Sequence, residues 1–200
     1  PPFYKWFEDG VTNRCYNALD IHIDEGRGDK TALIYDSPIT GNKAKFSFKQ
    51  LKEKVSKFAG ALSNQGVKKG DRVIIYMPMV PEAVVAMLAC GRIGAIHSVV
   101  FGGFASNELA SRIDDSKAKV LVTASCGFEP GRTVEYRPLV DGALKQAKHK
   151  VEKVIFFQRP GHDIKLNAPL EISWDESLSN AKDTDCVEMG SNEFAYILYT

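Results

Sequence analysis

Between Arg72 and Val100 the chain reads strand, helix, strand with only short connections, and this constrains the fold more than any other feature. Arg72–Met77 (RVIIYM) has the continuous apolar character of a buried strand. Pro81 opens a helix that runs to about Ile93, and Ala95–Val100 (AIHSVV) forms the next strand. That helix is apolar nearly all round (Ala83, Val84, Val85, Ala86, Met87, Leu88, Ala89, Cys90), with only Glu82 and Arg92 interrupting. A helix of this kind has to be covered on more than one side. The alternation continues downstream. Asn107–Asp115 reads as a helix with Ser106 at its N-cap, and Lys119–Thr123 as a strand. Leu139–His149 is a helix with Pro138 at its first position, and Lys153–Phe157 and Phe194–Tyr199 are strands. Repeated strand–helix–strand units predict an α/β fold with a largely parallel sheet flanked by helices. Gln158–Asp185 lacks regular apolar spacing and is expected to be a surface excursion.

Upstream, Thr31–Tyr35 and Ala44–Phe48 predict a small antiparallel hairpin, turned by Ser37-Pro38 and Gly41-Asn42. Ser47 and Gln50 have capping-box spacing. Leu51, Val55, Phe58, Ala59 and Leu62 follow at helical intervals, and Gly66 stands where a left-handed C-terminal glycine belongs. Residues 1–30 read as a strap whose aromatics (Phe3, Tyr4, Trp6, Phe7) pack onto the rest, and residues 31–200 as the α/β domain. The sequence begins Pro-Pro and stops at Tyr199-Thr200, directly after an apolar strand. In α/β sheets ligand loops follow strand ends, so the chain reads as cut where a site should begin.

Composition excludes several classes. The 200 residues are 44% hydrophobic and 26% charged, ordinary values for a folded domain. Twenty-six Lys and Arg against 25 Asp and Glu leave a net charge of +1, so no strong field draws nucleic acid or an anionic membrane. No apolar run approaches the roughly 20 residues of a membrane span. Cys15, Cys90, Cys126 and Cys186 form no CxxC and read as free buried thiols. His22, His97, His149 and His162 are scattered without HxxxH spacing, so no metal site is expected. The sequence has no G-x-S-x-G, no P-loop and no G-x-G-x-x-G. The last absence argues against a dehydrogenase half.

Two glycine-bearing turns remain as candidates for chemistry. Phe101-Gly102-Gly103-Phe104 follows a strand and precedes a helix start, where close backbone approach and a helix N-terminus favour anions. The same residues also suit an ordinary strand-to-helix turn. In Glu129-Pro130-Gly131-Arg132 the Arg132 guanidinium offers a fork for phosphate. The alternative reading is an ion pair with Glu129 or Glu135. Arg137 lies nearby, and Lys68-Lys69-Gly70-Asp71 reads as a plain basic turn.

Tyr76–Phe104, YMPMVPEAVVAMLACGRIGAIHSVVFGGF, closely resembles short-chain acyl-CoA synthetases, the acetyl-CoA and propionyl-CoA synthetase group of adenylate-forming enzymes. Trp6-Phe7 with Asn13 to Asp20, Arg112-Ile113 with Asp115-Ser116, and the terminal Tyr196–Thr200 extend the resemblance over the whole chain. It implies the N-terminal part of an adenylate-forming large domain, with 1–30 as its strap and 31–200 incomplete before the phosphate loop. It implies a two-step reaction: a carboxylate attacks the α-phosphate of ATP, assisted by Mg²⁺, and the CoA thiol then displaces AMP.

By that resemblance Phe101, Gly102 and Gly103 lie against the CoA nucleotide. Glu129, Pro130, Gly131 and Arg132 form a CoA-binding segment, whose first position is arginine in acetyl-CoA synthetases. The E-P-G-R form resembles propionate-preferring members and points to the mitochondrial matrix, with cytosol as the alternative. The ATP site, the acyl pocket and the catalytic lysine fall beyond Thr200. No catalytic residue is therefore expected here, the isolated chain is expected to be inactive, and its sheet is expected to show an unpaired, aggregation-prone edge. CoA and a short carboxylate are the expected partners, and homo-oligomerisation stays open. The competing reading is a non-catalytic truncated isoform or interaction module.

Overall fold

The computed structural model describes residues 4–199. Its elements in chain order are β1 (Val11–Thr12), a π-helical turn (Tyr16–Asp20) running into α1 (Ile21–Asp24), β2 (Thr31–Asp36), β3 (Lys43–Ser47), α2 (Phe48–Asn64), β4 (Arg72–Met77), α3 (Pro81–Arg92) and β5 (Ile96–Phe101). There follow α4 (Ser106–Ser116), β6 (Val120–Ala124), β7 (Cys126–Glu129), β8 (Arg132–Glu135), α5 (Tyr136–Gln146), β9 (Lys153–Phe157), β10 (Glu171–Ser173), α6 (Trp174–Ser179), β11 (Met189–Gly190) and β12 (Tyr196–Ile197).

The main sheet has six strands in the order β10-β9-β6-β4-β5-β12, and every pairing in it is parallel. This is the α/β architecture that the alternation predicts. The chain passes from β4 to β5 on one side, then back across β4 to β6. Right-handed crossovers therefore put α3 on one face and α4 and α5 on the other. Packing agrees, with α2 against α3 and α6, and α4 against α5. Val73, Ile74, Ile75 and Tyr76 of β4, Val120, Leu121 and Val122 of β6, and Val154, Ile155 and Phe156 of β9 are solvent-free between these layers.

The local signals account for α2 and α3. The Ser47–Gln50 capping box is present in both directions. α2 ends at Asn64, Gly66 adopts φ +81°, and Val67 N donates back to Leu62 O at 3.1 Å, closing a Schellman motif. On α3, Val85, Ala86, Ala89 and Cys90 are buried beneath α2, β4 and β5.

Several expectations are corrected. Ser106 lies inside α4, whose cap is Ala105, and its hydroxyl packs against Gly142 of α5. α5 starts at Tyr136, so Pro138 is its third residue, and it ends at Gln146 before His149. Gln158–Asp185 is not only a surface excursion: it supplies β10, which extends the sheet, and α6, whose Trp174 stacks on Phe58 at 3.7 Å between ring centroids. Of Phe194–Tyr199 only Tyr196–Ile197 pair, on β5 at the edge of the sheet, with Phe194 and Leu198 exposed.

Residues 4–30, expected as a strap packed through its aromatics, are held by other means. Tyr4, Trp6 and Phe7 are exposed, and Phe3 lies outside the described residues. Asn13 anchors it, donating to the carbonyls of Gly91, Arg92 and Val187, while Cys15 and Leu19 are buried. All four cysteines are free thiols, but Cys186 is only partly buried.

Candidate functional site

The two glycine turns come together. β4 leads to α3 on one face, whereas its neighbours β5 and β6 lead to helices on the other. The loops beyond β4 therefore diverge from those of its neighbours, the arrangement that opens a ligand crevice in such sheets. A cleft of about 330 Å³ lies there, lined by Met77–Met79 after β4, Val99–Gly102 at the end of β5, the β2–β3 turn, and Gly127–Glu129 of β7.

Gly102 is required by packing. A Cβ there would overlap the Tyr136 hydroxyl and stand 2.9 Å from Met77 O. A Cβ at Gly127 would stand 2.9 Å from the same hydroxyl, so Tyr136 fits between two glycines. Gly103 adopts φ +117°, open to glycine but not to other residues. The turn is fixed by Tyr76, whose hydroxyl donates to Phe104 O at 2.8 Å and whose ring lies 4.9 Å from that of Tyr136. Burial pushes the Tyr136 phenol well above its ordinary value, so it stays protonated. Phe101 turns 66% of its surface to solvent.

Glu129-Pro130-Gly131-Arg132 is the tip of the β7–β8 hairpin. Pro130 followed by Gly131 at φ +75° is the residue order of a type II turn. Arg132 Nε donates to Glu129 Oε2 at 2.7 Å, with a second nitrogen at 2.6 Å. Of the two candidate ion-pair partners, Arg132 therefore takes Glu129, while Glu135 faces His162 at 3.8 Å. The position of a Cβ on Gly103 is 3.7 Å from Glu129 Oε1, so the two turns face each other. Arg137 is occupied elsewhere, bonded to Glu171 at 2.6 Å and Asp141 at 3.1 Å, which ties α5 to β10.

Arg159 also lines the cleft and was not singled out from the sequence. It is 6% exposed, its guanidinium lies 4.7 Å from the Phe128 ring centroid, and its backbone N–H is held by Ser125 Oγ at 2.8 Å. Among the described residues no carboxylate lies within 4 Å of it. A buried cation without a carboxylate, beside a glycine turn, is an anion-binding arrangement. The cleft's own carboxylates do not make a divalent-cation site: Glu129 is paired with Arg132, and Asp36 with Lys43 at 2.8 Å.

The family model described as AMP-binding enzyme matches residues 22–200. The chain belongs to this family. Over its full length it is 56% identical to the human protein named acyl-CoA synthetase short-chain family member 3, mitochondrial. It is 44% identical to acetyl-coenzyme A synthetase of Streptomyces coelicolor. The chain spans 29% and 31% of those two relatives. A solved acyl-CoA synthetase of Brucella canis superposes with a TM-score of 0.76 at 22% identity, covering 94% of this chain and 31% of that one. The likeness supports the fold read above for the AMP-binding family.

Proposed function

We propose that this chain is part of a short-chain acyl-CoA synthetase and forms one wall of its CoA site. The observation that carries the reading is the cleft at the C-terminal edge of β4 and β5. It joins the half-buried Gly102 backbone, the exposed Phe101 ring and the buried Arg159 in one place. Phosphates suit the guanidinium and backbone N–H groups, and the exposed ring suits a nucleobase face. Phe101, Gly102 and Gly103 would take the nucleotide portion, with Glu129–Arg132 as the opposite rim. The parent enzyme would activate propionate or acetate with ATP and pass the acyl group to CoA, with the ATP and Mg²⁺ sites on residues outside this chain. On this reading the 200-residue chain is inactive by itself, residues 1–30 act as its strap, and the parent works in the mitochondrial matrix. The 56% identity to relatives with mitochondrial names supports that location.

The test separates the half-reactions in the protein expressed over its full reading frame. Acid-dependent ATP–pyrophosphate exchange, which needs no CoA, is measured with acetate, propionate and butyrate, and the KM for CoA is measured in the complete reaction. Arg159→Gln removes a charged hydrogen-bond donor worth about 1.5–3 kcal/mol, which corresponds to a KM for CoA roughly 10- to 150-fold higher. Exchange is expected to be unchanged in that variant. Absence of exchange with every short acid sinks the enzyme class and leaves the non-catalytic module. Exchange with an unmoved KM for CoA removes Arg159 from the CoA site.

A further inference from the structure

Away from the cleft, two thiols that are far apart in sequence meet. Cys15, just before the π-helical turn, is solvent-free, and Cys186, in the stretch 181–188 that has no regular secondary structure, is partly exposed. Their sulfurs and an Asp20 carboxylate oxygen all lie within 4.8 Å of one another. Arg92, 1% exposed, penetrates the same cluster: it donates to Cys15 Sγ at 3.4 Å and forks onto Asp20 at 2.7 and 3.0 Å. The Cys186 thiol points to Asp20 Oδ2 at 3.8 Å.

The surroundings hold the pair in place. Thr184 exchanges hydrogen bonds with Ser56 of α2 at 2.9 Å and accepts from Arg92 Nε. Val187 N donates to Arg92 O at 2.9 Å, and Val187 O accepts from Asn13 at 2.7 Å. Cys186 is thus delivered to Cys15 by fixed points on both sides. Three donors of this kind could suggest a metal, but a guanidinium already neutralises Asp20 and contacts Cys15, and a second cation there would meet its repulsion. A cation against a sulfur instead favours thiolate, the reactive form of cysteine. The hydrogen bond between the two thiols and the Arg92 charge draw the Cys15 thiol below its ordinary value, and the same hydrogen bond with burial pushes the Cys186 thiol up, so Cys15 is the sulfur that carries the thiolate at rest.

We propose that Cys15 and Cys186 are a dithiol modification site that a small disulfide of the glutathione class converts reversibly to an intramolecular Cys15–Cys186 bond, tying the strap to residues 181–188. Cys186, the more exposed residue of the two, gives its thiol proton to solvent base and attacks one sulfur of the oxidant as the thiolate; that S–S bond breaks and one thiolate leaves. The Cys15 thiolate then attacks the Cys186 sulfur, the mixed bond breaks, and the second thiolate leaves. The protein gives up two electrons and two thiol protons, and both end on the two released thiols. Bonding requires the sulfurs to close from within 4.8 Å to about 2 Å. Cys90 and Cys126 have no such partner: Cys90 is fully enclosed, and burial raises its thiol to about 12.

The test titrates the folded protein, expressed over its full reading frame, through mixtures of reduced and oxidised glutathione. The reaction is quenched with acid, free thiols are alkylated, and peptides are mapped by mass spectrometry. A linked Cys15–Cys186 peptide, short of two hydrogens and restored by dithiothreitol, is expected while Cys90 and Cys126 stay reduced. Cys15→Ser is expected to strand Cys186 as its glutathione adduct, and Cys186→Ser to leave Cys15 reduced. In the wild-type protein, three results each overturn the proposal: Cys186 stopping at the mixed disulfide, both thiols staying reduced throughout, or Cys90 and Cys126 oxidising in step with the pair. The wild-type map decides even where a serine variant fails to fold.

Discussion

Gly60 looks like a helix weakness, and the structure makes it a necessity. It lies in the interior of α2, where glycine to alanine on its own favours the helix by about 1 kcal/mol. The new methyl, however, would overlap the carbonyl oxygen of Lys182, with Lys182 C at 3.0 Å and N at 3.2 Å. Two relaxations are available. If the backbone of 181–188 retreats, it gives up both Ser56–Thr184 hydrogen bonds, worth about 0.5–1.5 kcal/mol each, and the charged Arg92–Thr184 bond, worth about 1.5–3. If α2 and residues 181–188 instead share small shifts that keep these bonds, overpacking costs about 1–3 kcal/mol, near the top of that range because the obstacle is backbone. The cheaper route sets the outcome, so the steric loss of about 3 kcal/mol exceeds the propensity gain and leaves Gly60→Ala about 2 kcal/mol less stable. With a urea slope of about 1–3 kcal/mol per molar, the unfolding midpoint falls by something on the order of 1 M. Urea denaturation followed by circular dichroism, wild type beside variant, reads this directly. A midpoint equal to or above wild type refutes the reasoning, because it means that helix propensity outweighs the contact between α2 and residues 181–188.

Two further outcomes follow from buried charge. Asp20→Ala strands the Arg92 guanidinium, and removing one partner of a buried pair is expected to lower stability by about 3–5 kcal/mol, read as the same midpoint shift. Burial alone would raise the Asp20 carboxyl, but Arg92 and Lys52 hold it below its usual value; its contribution is therefore complete above the unfolded-state value of about 3.9 and is lost as pH falls through the lower folded-state value. His97 behaves differently: burial, then the Arg14 charge, lowers it to about 4. Between that value and the unfolded value of about 6.5 the unfolded chain binds more protons, so stability rises with pH across the window. An NMR titration of the His97 ring with its midpoint near 6.5 would remove this contribution.

What was legible in the sequence is what has a local cause. β4, β6, β9 and α2 fall within a residue or so of their expected limits, because continuous apolar runs, a capping box and a C-terminal glycine act through neighbours along the chain. β10 has no such cause. Glu-Ile-Ser at 171–173 carries no strand signal; parallel pairing on β9 and the Arg137–Glu171 bond, 34 residues apart, make it a strand. Trp174 hid for the same reason, since its partner Phe58 is on α2. The β7–β8 hairpin was in principle readable. Pro130-Gly131 is a turn signal, but the strands that it joins are only four residues each and carry little pattern of their own. Arg159 had no motif at all. Ser125, Phe128 and the end of β9 place it, and those three meet only in the folded chain.

The turn that the sequence offered for chemistry and the arginine that it did not offer differ in what a charged ligand would find. Arg132 is 71% exposed and already paired with Glu129 across a two-residue turn. An exposed pair of this kind contributes about 0–1 kcal/mol, so a phosphate could take Arg132 only by displacing a carboxylate that then faces the same phosphate. Arg159 carries no such competitor, and its burial leaves its field less screened by water. The Glu129 carboxylate has a further effect, because it stands beside Gly103 and places negative charge at the mouth of the glycine turn. On the proposed reading the strongest attraction for phosphate therefore lies on the Arg159 side of the cleft, and the hairpin tip acts more by shape than by charge.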